Sequence, residues 1–156
     1  MDLGLKDKRV LVTGSSRGIG RAIAEKFLQE GACVVIAARG EKELQITEKS
    51  LETSSKNKKL FSYTCDFTNE ESTNKLRDSI VETLGGIDVV IANVGSGKSV
   101  LDPLPDKLVW QETWKNNFTP AMTTARAFLP TLLTSRGCIL FISSIAGIEA
   151  IGAPVD

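Results

Sequence analysis

Five short runs of apolar residues alternate with segments of helical periodicity along the chain, and this alternation constrains the fold more than any other feature. The runs are Arg9–Thr13, Cys33–Ala38, Leu60–Cys65, Asp88–Asn93 and Cys138–Ser143. Strands that alternate with helices are joined by crossovers, so they lie parallel, and helices cover both faces of their sheet. The pattern predicts a doubly wound, Rossmann-like α/β fold with five strands, in a single domain over residues 1–156.

The segments between the runs carry start and stop signals for helices. The first helix follows a glycine-rich loop, and the second is predicted over residues 41–55. Thr68 and Glu71 form a capping box that predicts the start of the third helix. The fourth helical region is long, and we expect Pro120 to interrupt or kink it and Pro130 to stop it.

Composition excludes several classes of function. Basic and acidic residues both number 19, so the chain has no excess positive charge for nucleic acid or an anionic membrane. The chain has no histidine, which excludes a Ser-His-Asp triad, a Cys-His pair and a zinc site with histidine ligands. No apolar stretch approaches the roughly 20 residues that span a bilayer, and the first residues are charged. We expect a cytoplasmic protein that acts on a small molecule.

The three cysteines are Cys33, Cys65 and Cys138. Each lies in or beside an apolar run, and they are far apart in the sequence. This placement predicts buried reduced thiols rather than a disulfide or metal ligands. No metal site is expected.

Two glycine-containing loops compete for the role of phosphate-binding loop. The stretch Ala92–Ser99 nearly fits the phosphate loop of nucleoside triphosphatases. However, Pro103 and Pro105 fall where its helix would begin, and each costs about 3 kcal/mol in a helix interior. We interpret that stretch as a turn after a strand. The stretch Thr13–Gly20 lies between a strand and a proline-free helix, so its glycines allow the backbone to approach a pyrophosphate closely.

The stretch Thr13–Gly20, TGSSRGIG, resembles the cofactor loop Thr-Gly-x-x-x-Gly-x-Gly of the short-chain dehydrogenase/reductase family. Asp66 matches the family's aspartate after strand three, which contacts adenine, and Ala92–Gly95 resembles its Asn-Asn-Ala-Gly motif. The resemblance implies a dinucleotide site at the ends of the strands. The predicted cofactor-binding residues are Gly14, Ser15, Ser16, Arg17, Gly18, Ile19, Gly20, Arg39, Asp66, Phe67, Asn93 and Gly95.

The preferred cofactor is predicted from the end of the second strand. NAD-binding folds place an acidic residue there to accept hydrogen bonds from the ribose, and such an acid would repel a 2′-phosphate. Here Arg39 follows the strand directly, and Arg17 lies inside the glycine loop. Two guanidiniums that converge on a 2′-phosphate would favour NADP over NAD. The missing acid also argues against a methyltransferase, which uses one to hold a ribose.

The same resemblance implies two catalytic residues and an activity. Asn117, with Asn116 as the alternative, matches the asparagine that anchors a water in the proton relay. Ser144 matches the serine that hydrogen-bonds the substrate oxygen, although from the residues alone Ser143 and Ser144 are turn formers at a strand end. The implied activity is an NAD(P)-dependent interconversion of an alcohol and a carbonyl. The glycine loop is most similar to that of carrier-protein-linked 3-oxoacyl reductases.

The family's acid/base tyrosine would fall just beyond Asp156, with its lysine one helical turn later. Tyr63, the one tyrosine present, lies in the third predicted strand. We therefore expect the chain to be the N-terminal portion of a longer enzyme and to be inactive alone. The alternative is a non-catalytic dinucleotide-binding or interaction module produced by truncation.

Large side chains recur along the long fourth helical region. Because the family commonly pairs helices of this part of the fold across a two-fold axis, we expect a homodimer or homotetramer formed through it. The alternative is that these side chains face the subunit's own core. The residues are Trp110, Trp114, Phe118 and Met122.

Overall fold

The structure, a computed structural model, describes residues 2–54, 59–96 and 104–145. Its strands are β1 (Arg9–Thr13), β2 (Cys33–Ala38), β3 (Leu60–Thr64), β4 (Val89–Ala92) and β5 (Cys138–Phe141). Its helices are α1 (Gly18–Gln29), α2 (Glu41–Ser54), α3 (Glu70–Leu84), α4 (Lys107–Asn117) and α5 (Thr119–Ser135). Each predicted strand is present within two residues of its predicted bounds. Ser55 and residues 97–99, on which two predictions bear, lie outside the described residues.

All five strands are parallel and form one sheet in the order β3-β2-β1-β4-β5. Val10 of β1 lies opposite Val34 of β2 on one side and Val89 of β4 on the other. The chain therefore builds outward from β1 to β3 and then crosses back to start again at β4. This arrangement confirms the predicted doubly wound fold and places its switch point between β1 and β4.

Two apolar clusters cover the faces of the inner strands. Val10 and Val12 of β1 pack with α1 and α2, whereas Leu11 packs with α3 and α5 on the other face. All three side chains are fully buried. The outer strands differ, because β3 is only partly buried and most of β5 is exposed. Coverage on both faces thus holds for the inner strands and fails at the two edges.

The cap of α3 differs from the prediction. Asn69, not Thr68, is the N-cap residue, and its side chain accepts a hydrogen bond of 2.9 Å from the backbone N–H of Ser72. The predicted Thr68–Glu71 capping box was wrong because the Thr68 hydroxyl donates to Asp66 instead.

The two prolines of the fourth helical region have different effects. Pro120 stands in the first turn of α5, directly after the break between α4 and α5, as predicted. Pro130 does not stop the helix, which continues to Ser135. Both Pro130 and Arg126, whose carbonyl loses its hydrogen-bond donor, lie on the exposed side of α5, so water can take the place of the missing N–H.

The cysteines are free, and two of them are buried as predicted. Cys138 is exposed, which corrects the prediction for that residue. It opens β5, and no described element covers this edge of the sheet. Within the described ranges, no helix has the length and apolarity needed to cross a membrane.

A bidentate ion pair joins the start of β1 to the residue before β4, at the end of the sheet where the strands begin. The Arg9 guanidinium donates to both carboxylate oxygens of Asp88 at 2.9 and 2.7 Å, and the Arg9 backbone N–H donates to the same carboxylate at 2.9 Å. A further bond from Arg9 reaches the carbonyl of Leu84 at the end of α3. The hydrogen bonds from Arg9 outweigh partial burial and hold the pKa of Asp88 below its ordinary value.

We predict that Asp88→Asn lowers the free energy of unfolding at pH 7 by about 1 to 3 kcal/mol, because the substitution removes a charge-assisted pair. The folded-state pKa of Asp88 is depressed, so this stability is complete above the ordinary value of 3.8 and is lost as the pH falls through the folded-state pKa. The difference between the two proteins should therefore shrink below about pH 4. Urea unfolding between pH 3 and 7 measures it.

Asp78→Asn is the matched control, because Asp78 pairs with Arg77 on the surface and is 68% exposed. We expect that variant to unfold almost as the wild type does at every pH. A difference between Asp88→Asn and wild type that is constant with pH would contradict the assignment to the ion pair.

Candidate functional site

The loop between β1 and α1 lies at the switch point of the sheet and requires its glycines. Gly14 and Gly18 adopt positive φ angles of 64° and 56°, in the left-handed region that favours glycine. A Cβ atom on Gly20 would lie 2.5 Å from the carbonyl oxygen of Gly14. Glycine is thus needed at 14 and 18 for conformation and at 20 for space.

The amino terminus of α1 presents unpartnered N–H groups. Its N-cap residue, Arg17, provides no side-chain cap, whereas Asn69 caps α3 and Asp106 caps α4. The backbone N–H groups of Gly18 and Ile19 have no acceptor among the described residues. Together with the positive end of the helix dipole, this cradle of N–H groups fits a diphosphate.

Two serines of the loop hold it in place. Ser15 is buried, and its hydroxyl accepts from the N–H of Ala37 and donates to the carbonyl of Val12, both at 2.8 Å. The carbonyl of Ser16 accepts a 2.6 Å hydrogen bond from the buried Thr47 hydroxyl of α2. The Ser15 side chain therefore ties the loop to β2, a task that the sequence analysis did not foresee.

Asn93 lies directly against the glycine loop. Its side-chain N–H groups donate to the carbonyls of Thr13 and Gly14 at 3.1 and 3.2 Å. Its backbone N–H donates to the Thr13 hydroxyl at 2.9 Å, and Val94 reaches the same hydroxyl. The structure thus places the predicted residue Asn93 between the loop and the end of β4.

Asn117, at the end of α4, contacts the loop that follows β4. Its side-chain oxygen accepts a 2.6 Å hydrogen bond from the N–H of Ser96, and its side-chain N–H donates to the carbonyl of Thr113. A Cβ atom on Gly95 would lie 3.3 Å from the Asn117 oxygen. Asn116, the alternative to Asn117, instead faces a cavity beside Asp66.

The segment after β3 has features that suit the binding of a nucleotide base. Asp66 accepts from the N–H and the hydroxyl of Thr68 at 2.9 and 2.8 Å. Burial works against its charge, but these bonds together with the charges of Arg39 and Lys115 outweigh burial and lower the pKa of Asp66. Phe67 is 1% exposed, and its N–H has no acceptor among the described residues. An ionised acceptor next to an unpartnered buried donor fits the hydrogen-bonding edge of adenine.

The Phe67 carbonyl is held from the opposite side. It accepts a hydrogen bond from the buried hydroxyl of Thr123 in α5. Thr123 and Thr47, like the Ser15 hydroxyl, are positioning groups that sequence reasoning missed. The available signal was a polar residue on the buried face of each helix.

The two arginines predicted to recognise a 2′-phosphate are both exposed. Arg39 follows β2 and lines the cavity beside Asp66, and Arg17 precedes the first turn of α1. Neither forms an ion pair with another described residue. That they converge on one phosphate stays a prediction.

The predicted catalytic serine and the one tyrosine lie at opposite edges of the sheet. Ser144 follows β5, whereas Tyr63 is in β3, with its hydroxyl 3.3 Å from that of Thr83. With four strand spacings of about 4.8 Å each, the two edges are roughly 19 Å apart. Tyr63 is therefore not a partner of Ser144 within one chain.

Comparison with known proteins gives a match over nearly the whole chain. A family model described as short chain dehydrogenase matches residues 8–154. The uncharacterized oxidoreductase YvrD of Bacillus subtilis is 34% identical over 152 residues, which are 96% of this chain and 56% of that protein. The 3-oxoacyl-[acyl-carrier-protein] reductase FabG of Aquifex aeolicus is 35% identical over 149 residues, covering 94% of this chain and 59% of FabG. The chain thus spans less than two thirds of the length of these relatives.

Solved structures give the same picture. The L-sorbose reductase of Gluconobacter frateurii, complexed with NADPH and L-sorbose, superposes with a TM-score of 0.89 at 29% identity, over 99% of this chain and 59% of that one. An NADPH-bound short chain oxidoreductase of Pseudomonas aeruginosa PAO1 with an atypical catalytic center also has a TM-score of 0.89, at 27% identity, over 95% of this chain and 58% of that one.

Proposed function

Because the chain belongs to the short-chain dehydrogenase family, we propose that it forms the cofactor-binding part of an NADP-dependent oxidoreductase that interconverts an alcohol and a carbonyl. The observation that carries this proposal is the glycine loop at the switch point, which leads into the uncapped amino terminus of α1. A nicotinamide dinucleotide bound there supplies the hydride chemistry. The loop holds the diphosphate through N–H groups, and Asp66 and Phe67 hold the adenine.

The preference for NADP is supported by charge. Arg39 occupies the position after β2 where an NAD-binding fold has an acid. Two of the similar solved structures are of proteins bound to NADPH. We assign Arg39 and Arg17 to the 2′-phosphate.

The proposed substrate contacts involve Ser144 and Asn117. Ser144 donates a hydrogen bond to the substrate oxygen, which stabilises the charge that develops there as the carbonyl is reduced. Asn117 anchors a water in the path of the proton. Tyr63, at the opposite edge of the sheet from Ser144, is not the proposed proton donor. The similarity to FabG supports a 3-oxoacyl compound as substrate.

We predict that the wild-type protein binds NADP more tightly than NAD. Arg39→Ala should weaken NADP binding about 10- to 100-fold and leave NAD almost unchanged, since a hydrogen bond to a charged group contributes about 1.5 to 3 kcal/mol. Calorimetric titration of both proteins with both cofactors measures this. Arg21→Ala is the control, because Arg21 is an exposed arginine of α1 bonded to Ser50. Equal wild-type affinities for NAD and NADP would refute the preference.

The activity is tested in the longest natural protein that contains this chain. We expect it to oxidise NADPH with a member of a broad carbonyl panel, and we expect Ser144→Ala to reduce kcat about 100-fold or more without weakening NADPH binding. The 156-residue chain by itself should bind NADPH without turnover. No oxidation with any carbonyl would favour the second candidate, a non-catalytic dinucleotide-binding module.

Association through α4 is proposed from its exposed aromatic side chains. Trp114 and Phe118 are 51% and 44% exposed and stack with ring centroids 4.5 Å apart. Trp110 is also exposed, and none of the three faces the subunit's own core. A homodimer or homotetramer would remove this apolar surface from water.

We predict a dimer or larger species by light scattering at micromolar concentration and a monomer for Trp114→Glu. A strictly monomeric wild type would refute the proposal.

A further inference from the structure

A cavity of about 370 Å³ lies between the ends of β2 and β3 and the last turns of α4. Gln111 and Lys115 are one helical turn apart, as are Glu112 and Asn116, so α4 turns two rows of polar side chains towards it. These four residues form one wall. The opposite wall consists of Arg39, Asp66 and Thr68.

Hydrogen bonds fix the two walls relative to each other. The Asn117 side chain holds the end of α4 against the Ser96 N–H of the loop after β4. Thr123 of α5 holds the carbonyl of Phe67, the neighbour of Asp66. The wall that carries Lys115 is therefore held in place by contacts on both sides of the break between α4 and α5.

Two cations line the cavity without an ion-pair partner among the residues that the structure describes. Neither Arg39 nor Lys115 forms an ion pair with another described residue, although Glu112 lies less than one turn from Lys115 on the same helix. Asp66 uses one of its oxygens to accept both bonds from Thr68. Both cations act electrostatically on the Asp66 carboxylate, but no ion pair within the described part of the chain holds either of them, so both side chains can also contact an anion that enters between β2 and α4.

We propose that Lys115 is a specificity-determining residue that binds the 2′-phosphate of the dinucleotide from the α4 side, opposite Arg39. This inference rests on the proposed NADP-dependent function and adds a residue from α4, outside the glycine loop and the β2 end. Asp66, the residue proposed to bind the adenine, lines the same cavity as Arg39 and Lys115, so a 2′-phosphate on the adjoining ribose would enter beside both cations, and the flexible Lys115 side chain would meet it as a point charge. The carboxylate of Glu112, in the same wall, would repel the phosphate.

The test uses two nucleotide fragments, 2′,5′-ADP and 5′-AMP, which share adenosine and a 5′-phosphate and differ in the 2′-phosphate. Titration calorimetry on the wild type and on Lys115→Gln measures both affinities. We expect Lys115→Gln to weaken 2′,5′-ADP about three- to tenfold and to leave 5′-AMP unchanged. Glu112→Gln should strengthen 2′,5′-ADP, the opposite sign. Lys107→Gln, on the same helix outside the cavity, should change neither affinity.

Three results would overturn the inference. If Lys115→Gln binds 2′,5′-ADP as tightly as the wild type while Arg39→Ala binds it more weakly, Lys115 does not bind the 2′-phosphate. The proposed preference for NADP would then still stand. Equal weakening of both fragments would show that Lys115 contributes to adenine binding or to the stability of the fold, and not to recognition of the 2′-phosphate. A wild type that binds neither fragment would refute the proposed function itself. In the expected case, the wild-type preference for 2′,5′-ADP over 5′-AMP also shrinks as salt is raised.

Discussion

The site depends on the hydrogen bonds that the side-chain amide of Asn93 forms. It donates to two consecutive carbonyls, those of Thr13 and Gly14, at the point where β1 turns into the loop. The same nitrogen would lie 2.5 Å from a Cβ atom on Gly20, so the amide and that glycine occupy one small volume. The Asn93 amide, together with the Thr13 hydroxyl, thus joins the backbone on both sides of the switch point, directly before the loop that leads into α1.

The order of elements and the parallel sheet could be predicted because both follow from local patterns. The partial exposure of β3 could not, since the place of a strand in the sheet is a tertiary property and the residues Leu60–Thr64 do not reveal that this strand lies at an edge. The cap of α3 was misplaced by one residue because two neighbouring side chains are both suitable caps. Asp66 decides between them by engaging Thr68. Pro130 misled for a related reason, because the cost of a proline depends on whether water reaches the freed carbonyl.

The motif residues were predicted by resemblance, and the structure places most of them around the carboxyl ends of β1 to β4. The groups that hold them were not predicted. Thr47 lies on the buried face of α2 with Leu44 and Leu51. In a sequence, a small polar residue at such a position gives no sign of a specific role. Only its distance of 2.6 Å to the Ser16 carbonyl shows that it positions the loop. Tertiary hydrogen bonds of this kind leave no periodic trace in a sequence.

The Arg9–Asp88 pair has a consequence for how the molecule tolerates change. It lies where β1 and β4 begin, whereas the glycine loop and Asn93 lie where the same two strands end, at least four residues or about 13 Å away. The charges that join β1 and β4 are therefore separate from the charges that we propose bind the cofactor. Substitutions at the nucleotide end can alter which dinucleotide is accepted while the electrostatic anchor at the other end stays intact. Under the proposed function, cofactor preference and resistance to acid depend on different residues, so each can be changed without the other.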